Sequence, residues 1–507
     1  MSTFVADMKQ SRWRKHHKWL GLVLAFFLLM FCLSGMVLNH RTLASGVNIS
    51  RQWLPDLYRY HRWNNGLLRG TLPYAAPASR EDIPGHTRLL LYGSGGIWLT
   101  DSTGASFTDF NRGLPPGADY RQMRSLVQLP CGALFAATPL GLYRRPPYGH
   151  AWERVSLPLA PGERLTDLTR HGDTLVVAGR SRLYLCLPPY RTFRPLELRA
   201  PADYDGKVSL FRTVWLLHSG ELFGTAGKLL VDGVALTLIL LTLTGLLYWW
   251  MPRRIRRAKR AGRPAKRQVR WLKASLGWHT RVGVYTLVLT LFVSLTGWML
   301  RPPVLLALVY GRVPPVPGSV LSSSNAWNDR LRMIRYDEAC GDWLLSSADG
   351  FYHLPALTGV PVKIAKAPPV SVMGVNVFTG EGQGTWLVGS FSGLFRWDRR
   401  AQRATDYFTG QAAPEKSGAP FGLRAVAGYS ADFAGPPCVV EYYQGTDALP
   451  MPERFAALPM SLWSLSLEIH TGRIYTFLGS GTLFYICVVG LLVLWLLWSG
   501  YKIRRHP

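Results

Sequence analysis

Histidine is the residue type in this sequence best placed to do chemistry. Of twelve histidines, six (His16, His17, His40, His218, His279 and His470) lie at or near the ends of long apolar stretches. An ionisable group there is costly enough that a functional role is the first hypothesis. A neutral imidazole offers one ring nitrogen to a metal. A b-type haem needs one or two such rings aimed at its iron from facing helices, beside a flat surface for the macrocycle.

These histidines recur at matched positions. An offset of 262 residues places His17 on His279, Gly21 on Gly283, Ser34 on Thr296 and Gly35 on Gly297. An offset of 252 places Leu217-His218-Ser219-Gly220 on Ile469-His470-Thr471-Gly472, and Gly227 on Gly479. The duplication predicts two haem b sites, one held by His17 with His279 and one by His218 with His470. Gly21 and Gly283 each follow a histidine by four residues, on the same helix face, where no side chain would keep a porphyrin from the backbone. The competing account makes them helix-packing contacts and the histidines mere neighbours of lipid headgroups.

Four other positions enter with less support. His16 adjoins His17, but the offset of 262 lands it on Trp278. His40 lands on Pro302 and so has no histidine mate; it is an alternative outer ligand, or lies near substrate with Arg41 and Arg301, whose charges could also meet haem propionates.

The elements that must position these residues are membrane helices. Leu20 to Leu38, Val282 to Leu300 and Ile474 to Tyr501 carry no charge, and Leu229 to Trp250 carries one, Asp232. Each is long enough to cross about 30 Å of hydrocarbon. The first is too long for a secretory signal and lacks a cleavage pattern, so it reads as an uncleaved span. The net charge of +28 gathers beside these spans: ten Lys/Arg between Arg253 and Arg270, five between Lys9 and Lys18, and Lys502, Arg504 and Arg505 at the end. Positive-inside bias and contact with anionic lipid account for it without nucleic acid.

The expected organisation is therefore a cytoplasmic N-terminus (1–17), span one (18–40), an outer segment (41–216), an edge helix with span two (217–250), and a basic cytoplasmic loop (251–275). Span three (276–300), a second outer segment (301–466), an edge helix with span four (467–501) and a cytoplasmic tail (502–507) complete it. The predicted location is a bacterial inner membrane, with both large segments periplasmic. Cys131, Cys186, Cys340 and Cys438 lie outside the spans; their spacing forms no metal knuckle, and disulfide pairing is undecided.

Both outer segments repeat an apolar strand, a turn and a second apolar strand. Leu134 to Arg144 resembles Trp386 to Arg396, and similar units stand at Leu89 to Leu99, Thr174 to Leu185 and Trp343 to His353. Turns at Gly96, Gly141 and Arg182, then Gly350 and Gly393, are 41 to 45 residues apart within each segment. That period suits four-stranded propeller blades, with glycine supplying positive φ at most turns. The predicted fold is four membrane helices in two repeated pairs plus an all-β, propeller-like domain of six to eight blades; two unrelated β-sandwiches are the alternative.

The stretch Lys15-His16-His17-Lys18-Trp19-Leu20-Gly21 to Leu33-Ser34-Gly35, with Leu217-His218-Ser219-Gly220 ahead of the second span, resembles the PepSY-associated transmembrane family. Trp278-His279-Thr280-Arg281-Val282-Gly283 to Leu295-Thr296-Gly297-Trp298, and Ile469-His470-Thr471-Gly472, repeat both signatures. The resemblance covers the helices and their flanks, and implies an inner-membrane reductase that carries haem and passes electrons to a ferric siderophore or other ferric chelate. Propeller-like repeats in place of compact PepSY domains depart from that pattern. No nucleotide-binding fingerprint is present, so the electron donor would be a membrane quinol or a separate cytoplasmic reductase. Two other readings are a membrane-anchored propeller that acts as a sensor or assembly platform, and a transporter, which a single acidic residue among the spans disfavours.

Overall fold

The computed structural model describes residues 2–75, 88–371, 373–415 and 424–504. Arg505, at the end of the basic tail, lies outside them. The chain forms two compact units, each assembled from separated stretches: a helical unit (1–44, 206–322 and 462–507) and a β unit (45–205 and 323–461).

The helical unit contains α1 (Ser2–Asn39), α2 (Leu210–Ser219), α3 (Gly224–Arg260), α4 (Lys266–Tyr285), α5 (Leu287–Met299), α6 (Leu462–His470) and α7 (Gly481–Arg504). Among the described residues, three helices are long and apolar enough to cross a membrane, over Arg12–Asn39, Glu221–Arg260 and Gly481–Ile503. The expected third span is instead broken: α4 and α5 meet at 67° around Thr286. Thr286 Oγ1 donates back to the Val282 carbonyl at 2.8 Å, and Thr290 Oγ1 to Thr286 at 3.0 Å. Such back-bonding by hydroxyl side chains competes with the helix ladder and bends it. Leu24 and Leu28 of α1 pack on Val489, Val493 and Leu496 of α7, joining the first and last helices.

The edge helices α2 and α6 explain the repeated His-Ser/Thr-Gly signature. Ser209 caps α2 by accepting from the Arg212 amide, and Gly220 ends it in the left-handed region at φ +77°. A Cβ on Gly220 would lie 2.1 Å from the Gly227 carbonyl oxygen, so only glycine lets the chain turn into α3 there. Gly472, at φ +75°, follows α6 in the same way. Each stop leaves a histidine, His218 or His470, in the last turn of its short helix.

The β unit contains five four-stranded antiparallel sheets. They run Gly70–Pro73 to Phe107–Asp109, Ser125–Gln128 to Glu153–Val155, Leu165–His171 to Arg194–Leu196, Leu331–Asp337 to Val362–Lys363, and Val375–Gly382 to Arg403–Asp406. A sixth sheet pairs Val426–Ser430 with Cys438–Glu441. The predicted turns are the central hairpins of the five full sheets, with Gly96, Gly350 and Gly393 at positive φ. Gly141 is not left-handed; there Thr138 Oγ1 bonds the Gly141 carbonyl and receives the Leu140 amide.

Apolar clusters join neighbouring sheets face to face, which is why their middle strands are buried on both sides. Leu90 and Ile97 pack on Leu134 and Tyr143, Phe135 and Leu142 on Leu168 and Val177, and Val176 and Leu183 on Ile334 and Leu345. Leu344 and Phe351 pack on Phe378 and Trp386, and Leu387 and Leu394 on Val426. Cys438 and Val440 of the sixth sheet then pack with Leu91 and Trp98 of the first. Polar groups on the first strands cross-link the sheets: buried Asp167 accepts from Ser125 Oγ at 2.5 Å, from the Ile334 amide at 2.9 Å and from Arg335. All six cysteines are free thiols.

Candidate functional site

The helical unit brings the duplicated histidines together two by two. The rings of His17 and His279 stand 6.1 Å apart between centroids, at 78° to one another. Those of His218 and His470 stand 5.9 Å apart, at 42°. In α1, His17 belongs to the first pair, while Ser34 touches His470 of the second. Seventeen residues separate these two positions, so the sites lie roughly 25 Å apart along the helix.

Every one of the four rings is held by Nδ1. His17 Nδ1 lies 3.2 Å from the Leu496 carbonyl and 2.9 Å from Ser499 Oγ. His279 Nδ1 lies 2.9 Å from Thr244 Oγ1. His218 Nδ1 bonds the Val293 carbonyl at 3.0 Å; His470 Nδ1 bonds the Phe31 carbonyl at 3.0 Å and Ser34 Oγ at 3.1 Å. A carbonyl can only accept, so the ring nitrogen donates. The hydroxyls behave alike, because Ser499, Thr244 and Ser34 each commit their proton to a backbone carbonyl of the preceding turn. With Nδ1 protonated, the lone pair resides on Nε2. Among the described residues no hydrogen-bond partner meets Nε2 of any of the four.

A glycine packs against each imidazole edge. A Cβ added at Gly297 would lie 2.6 Å from Cε1 of His218, at Gly35 3.1 Å from His470, at Gly500 3.2 Å from His17 and at Gly245 3.7 Å from His279. Each glycine follows a hydroxyl residue: Ser34-Gly35, Thr244-Gly245, Thr296-Gly297 and Ser499-Gly500. Each dipeptide comes from the half of the chain opposite to its histidine. The first and second dipeptides belong to the N-terminal half and cradle His470 and His279; the third and fourth cradle His218 and His17.

The first pair lines a cavity of ≈ 900 Å³ together with Gly21, Gly283, Trp249, Tyr248, Arg14, Lys15 and Lys18. A Cβ at Gly21 or Gly283 would meet Leu496 or Leu241 at 3.6 or 3.5 Å, ordinary contact distances. Helix packing alone does not demand glycine at either place. The indole nitrogen of Trp249 is buried without a hydrogen-bond partner.

Of the remaining candidates, Arg301 touches the backbone of a member of the second pair, while His40 and Arg41 make their contacts elsewhere. His16 makes no ring contact with either pair. Nε2 of His40 is bonded to Asp232 at 2.7 Å, Arg41 stacks on Trp463 at 3.9 Å, and Arg301 Nη2 donates to the His470 carbonyl at 3.2 Å.

Comparison with known families decides the broader assignment: residues 2–251 and 227–503 each match the PepSY-associated TM region. The chain belongs to the PepSY-associated TM family. The two matches follow the duplication, and this family membership, with the membrane-length helices, makes the chain a membrane protein carrying a large β domain. No curated protein matches the chain. Among solved structures, the extracellular domain of a hybrid two-component system from B. thetaiotaomicron is 11% identical, covers 61% of this chain and 32% of its own, and has a TM-score of 0.22. The extracellular domain of a one-component system from the same organism is 9% identical, covers 70% and 38%, and scores 0.22. The chain thus spans 32% of the first structure's length and 38% of the second's.

Two of the dipeptides, Thr244-Gly245 and Ser499-Gly500, were not singled out by the sequence reading. They align at an offset of 255, three more than the 252 that fits the other end of the same helices. Shifting the alignment by three residues within the span would have found them. In the β unit, Asp337, Cys340 and Asp342 lie close enough together to ligate a metal, but Arg399 bonds both carboxylates and Trp386 Nε1 donates to Asp337 at 2.8 Å. Burial pushes the Asp337 carboxyl up, while the Trp386 and Arg399 hydrogen bonds outweigh it and hold the group below the usual carboxylate range. This cluster is an ion-pair lock.

Proposed function

We propose that this PepSY-associated TM protein is a haem b electron-transfer protein of a bacterial inner membrane, which carries electrons outward and reduces a ferric siderophore or similar ferric chelate. One observation carries the reading: two facing histidine pairs with every Nδ1 tied down and every Nε2 available. Two imidazoles on one metal, each about 2 Å away, have ring centroids roughly 6 Å apart. Separations of 6.1 and 5.9 Å meet that requirement.

The residues fit the group in other respects. Glycines at the ring edges and beside the cavity leave room for a flat macrocycle. Arg14, Lys15, Lys18 and the unpartnered Trp249 nitrogen suit carboxylate side chains at the first site. Bound haem supplies reversible one-electron chemistry. The chain's part is to fix ring orientation through Nδ1, keep Nε2 deprotonated, and exclude bulk from both positions. Positive-inside bias favours a cytoplasmic first pair and an outer second pair, with the broken α4–α5 helix as the third of four spans and the β unit periplasmic. A ferric chelate of hard oxygen ligands loses its hold once the iron is divalent, so the outer reaction needs no protein acid or base.

The β unit is proposed to be a six-bladed propeller. The cyclic order of shared cores, ending with the sixth sheet against the first, supports it, and closure of this kind protects strand edges.

The test is a reduced-minus-oxidised visible spectrum of the detergent-solubilised full chain, expressed with adequate haem supply. Two b-type components are expected. Absence of any b-type absorption overturns the reading; haem content unchanged in all four single His variants overturns the ligand assignment.

A further inference from the structure

Asp232 is the one acidic residue within the four apolar stretches, and the histidine pairs give it no role. Its side chain is 11% exposed. Two groups bind it: His40 Nε2 at 2.7 Å and Asn39 Nδ2 at 3.2 Å. Among the described residues no Lys or Arg pairs with this carboxylate. Burying a carboxylate against a single imidazole is expensive, and a hydrophobic pair would join α1 to α3 at lower cost.

The surrounding charges are engaged elsewhere. On the elements packed against this pair, Lys228 is bound to Glu221 at 2.8 Å, Arg41 stacks on Trp463, Arg473 is bound to Glu468 at 2.6 Å, Arg212 lies over Trp215, and Arg301 donates to the His470 carbonyl. His40 is 38% exposed on its side chain, so the pair reaches solvent through the imidazole. Asn39 Nδ2 also donates to the carbonyl of Ser219 at 3.2 Å, the residue after His218. One amide group thus connects the carboxylate to the backbone that carries a member of the second histidine pair.

We propose that His40 and Asp232 form a proton-binding site coupled to the second histidine pair, so that an electron arriving there is accompanied by one proton from solution. This rests on the reading of that pair as a haem site. An added negative charge in a low-dielectric interior favours a proton nearby, because little solvent is present to screen it. When the second site takes one electron from the donor, one proton binds His40–Asp232. When that electron passes to the ferric chelate, whose iron goes from trivalent to divalent, the proton returns to solution. Charge within the membrane is then balanced at each step. His40 and Asp232 are positioning residues that act through the second pair and do not touch the acceptor.

The experiment is a potentiometric titration of the haem-loaded full chain at a series of pH values around neutrality, followed by visible absorption. In the wild type one midpoint should fall as pH rises, by up to tenfold in the reduction equilibrium per pH unit, 59 mV for a one-electron couple. The other midpoint should change less. Asp232→Asn and His40→Gln should each flatten the slope while haem content stays at the wild-type level. Two wild-type midpoints independent of pH, or slopes unchanged in both variants, overturn the proton site and leave the haem reading standing. Should Asp232→Asn fail to fold, the wild-type slope and His40→Gln decide the matter alone. A chain without haem overturns both proposals.

Discussion

The two histidine pairs present the same donor atoms and are built to different tolerances. Around the first pair, the nitrogens opposite the donors rest largely on side-chain hydroxyls, of Ser499 and Thr244, and the rings border a cavity of ≈ 900 Å³. Around the second pair they rest on the backbone carbonyls of Val293 and Phe31, with Ser34 added, and the glycines press closer. Duplication therefore preserved the histidine positions while the contacts that hold the rings diverged. The first site resembles a seat with slack; the second depends on close fit to the helix backbone.

Removing a ring should have the largest effect and tests whether the pairs are independent. His17→Ala or His279→Ala should abolish bound haem at the first site and leave the second spectral component intact; His218→Ala or His470→Ala should do the reverse. Haem stoichiometry by pyridine haemochrome on purified protein checks this. Loss of both components from any single variant would make the two sites one cooperative unit.

The glycines allow a graded series. Gly297→Ala should be worst, since its Cβ would sit 2.6 Å from His218; relieving such a clash costs about 1–3 kcal/mol. Gly35→Ala and Gly500→Ala, at 3.1 and 3.2 Å, should lower haem occupancy at their own sites more mildly. Gly245→Ala, at 3.7 Å, should be close to neutral. Haem retention through dialysis against apomyoglobin ranks the four, and any ranking that puts Gly245→Ala first breaks the argument from contact distance.

Hydroxyl removal separates the two kinds of support. Ser499→Ala and Thr244→Val should weaken haem binding at the first site by roughly 10-fold, the low end for partners that orient a metal-ligating histidine. Thr296→Val should change little, because Thr296 Oγ1 bonds only the Phe292 and Val293 carbonyls and leaves Nδ1 of His218 to the backbone. Equal losses in all three would show that the two shells do not differ.

The sequence made part of this legible. Matched intervals singled out His17, His279, His218 and His470, whose rings do meet two by two, because helix stops and in-helix positions obey local spacing, and spacing survives duplication. The cradling dipeptides were harder: Gly35 and Gly297 aligned, but nothing in the sequence says that a glycine on α1 meets a histidine on α6. Asp232 and His40 have no repeat mates, so their contact could be seen only in three dimensions. The break at Thr286 carries neither proline nor glycine and arises from threonine back-bonding, which is weakly encoded. In the β unit the five full sheets announced themselves by hairpin period, whereas the sixth has only two strands and no comparable rhythm.

The smallest expected effect leaves composition and stability untouched and reads ring orientation alone. In a ferric ion with two axial imidazoles, the ring planes set the splitting of the two upper occupied d orbitals. Near-perpendicular rings keep these orbitals almost degenerate and give a strongly anisotropic low-spin resonance; rings nearer to parallel split them and give a rhombic one. The first pair stands at 78° and the second at 42°. Low-temperature EPR of the oxidised protein should therefore contain both kinds of low-spin signal, with the anisotropic one lost in His17→Ala and the rhombic one lost in His470→Ala. Two identical signals would mean that haem binding equalises the pairs, and that the divergence of their supporting shells does not reach the iron.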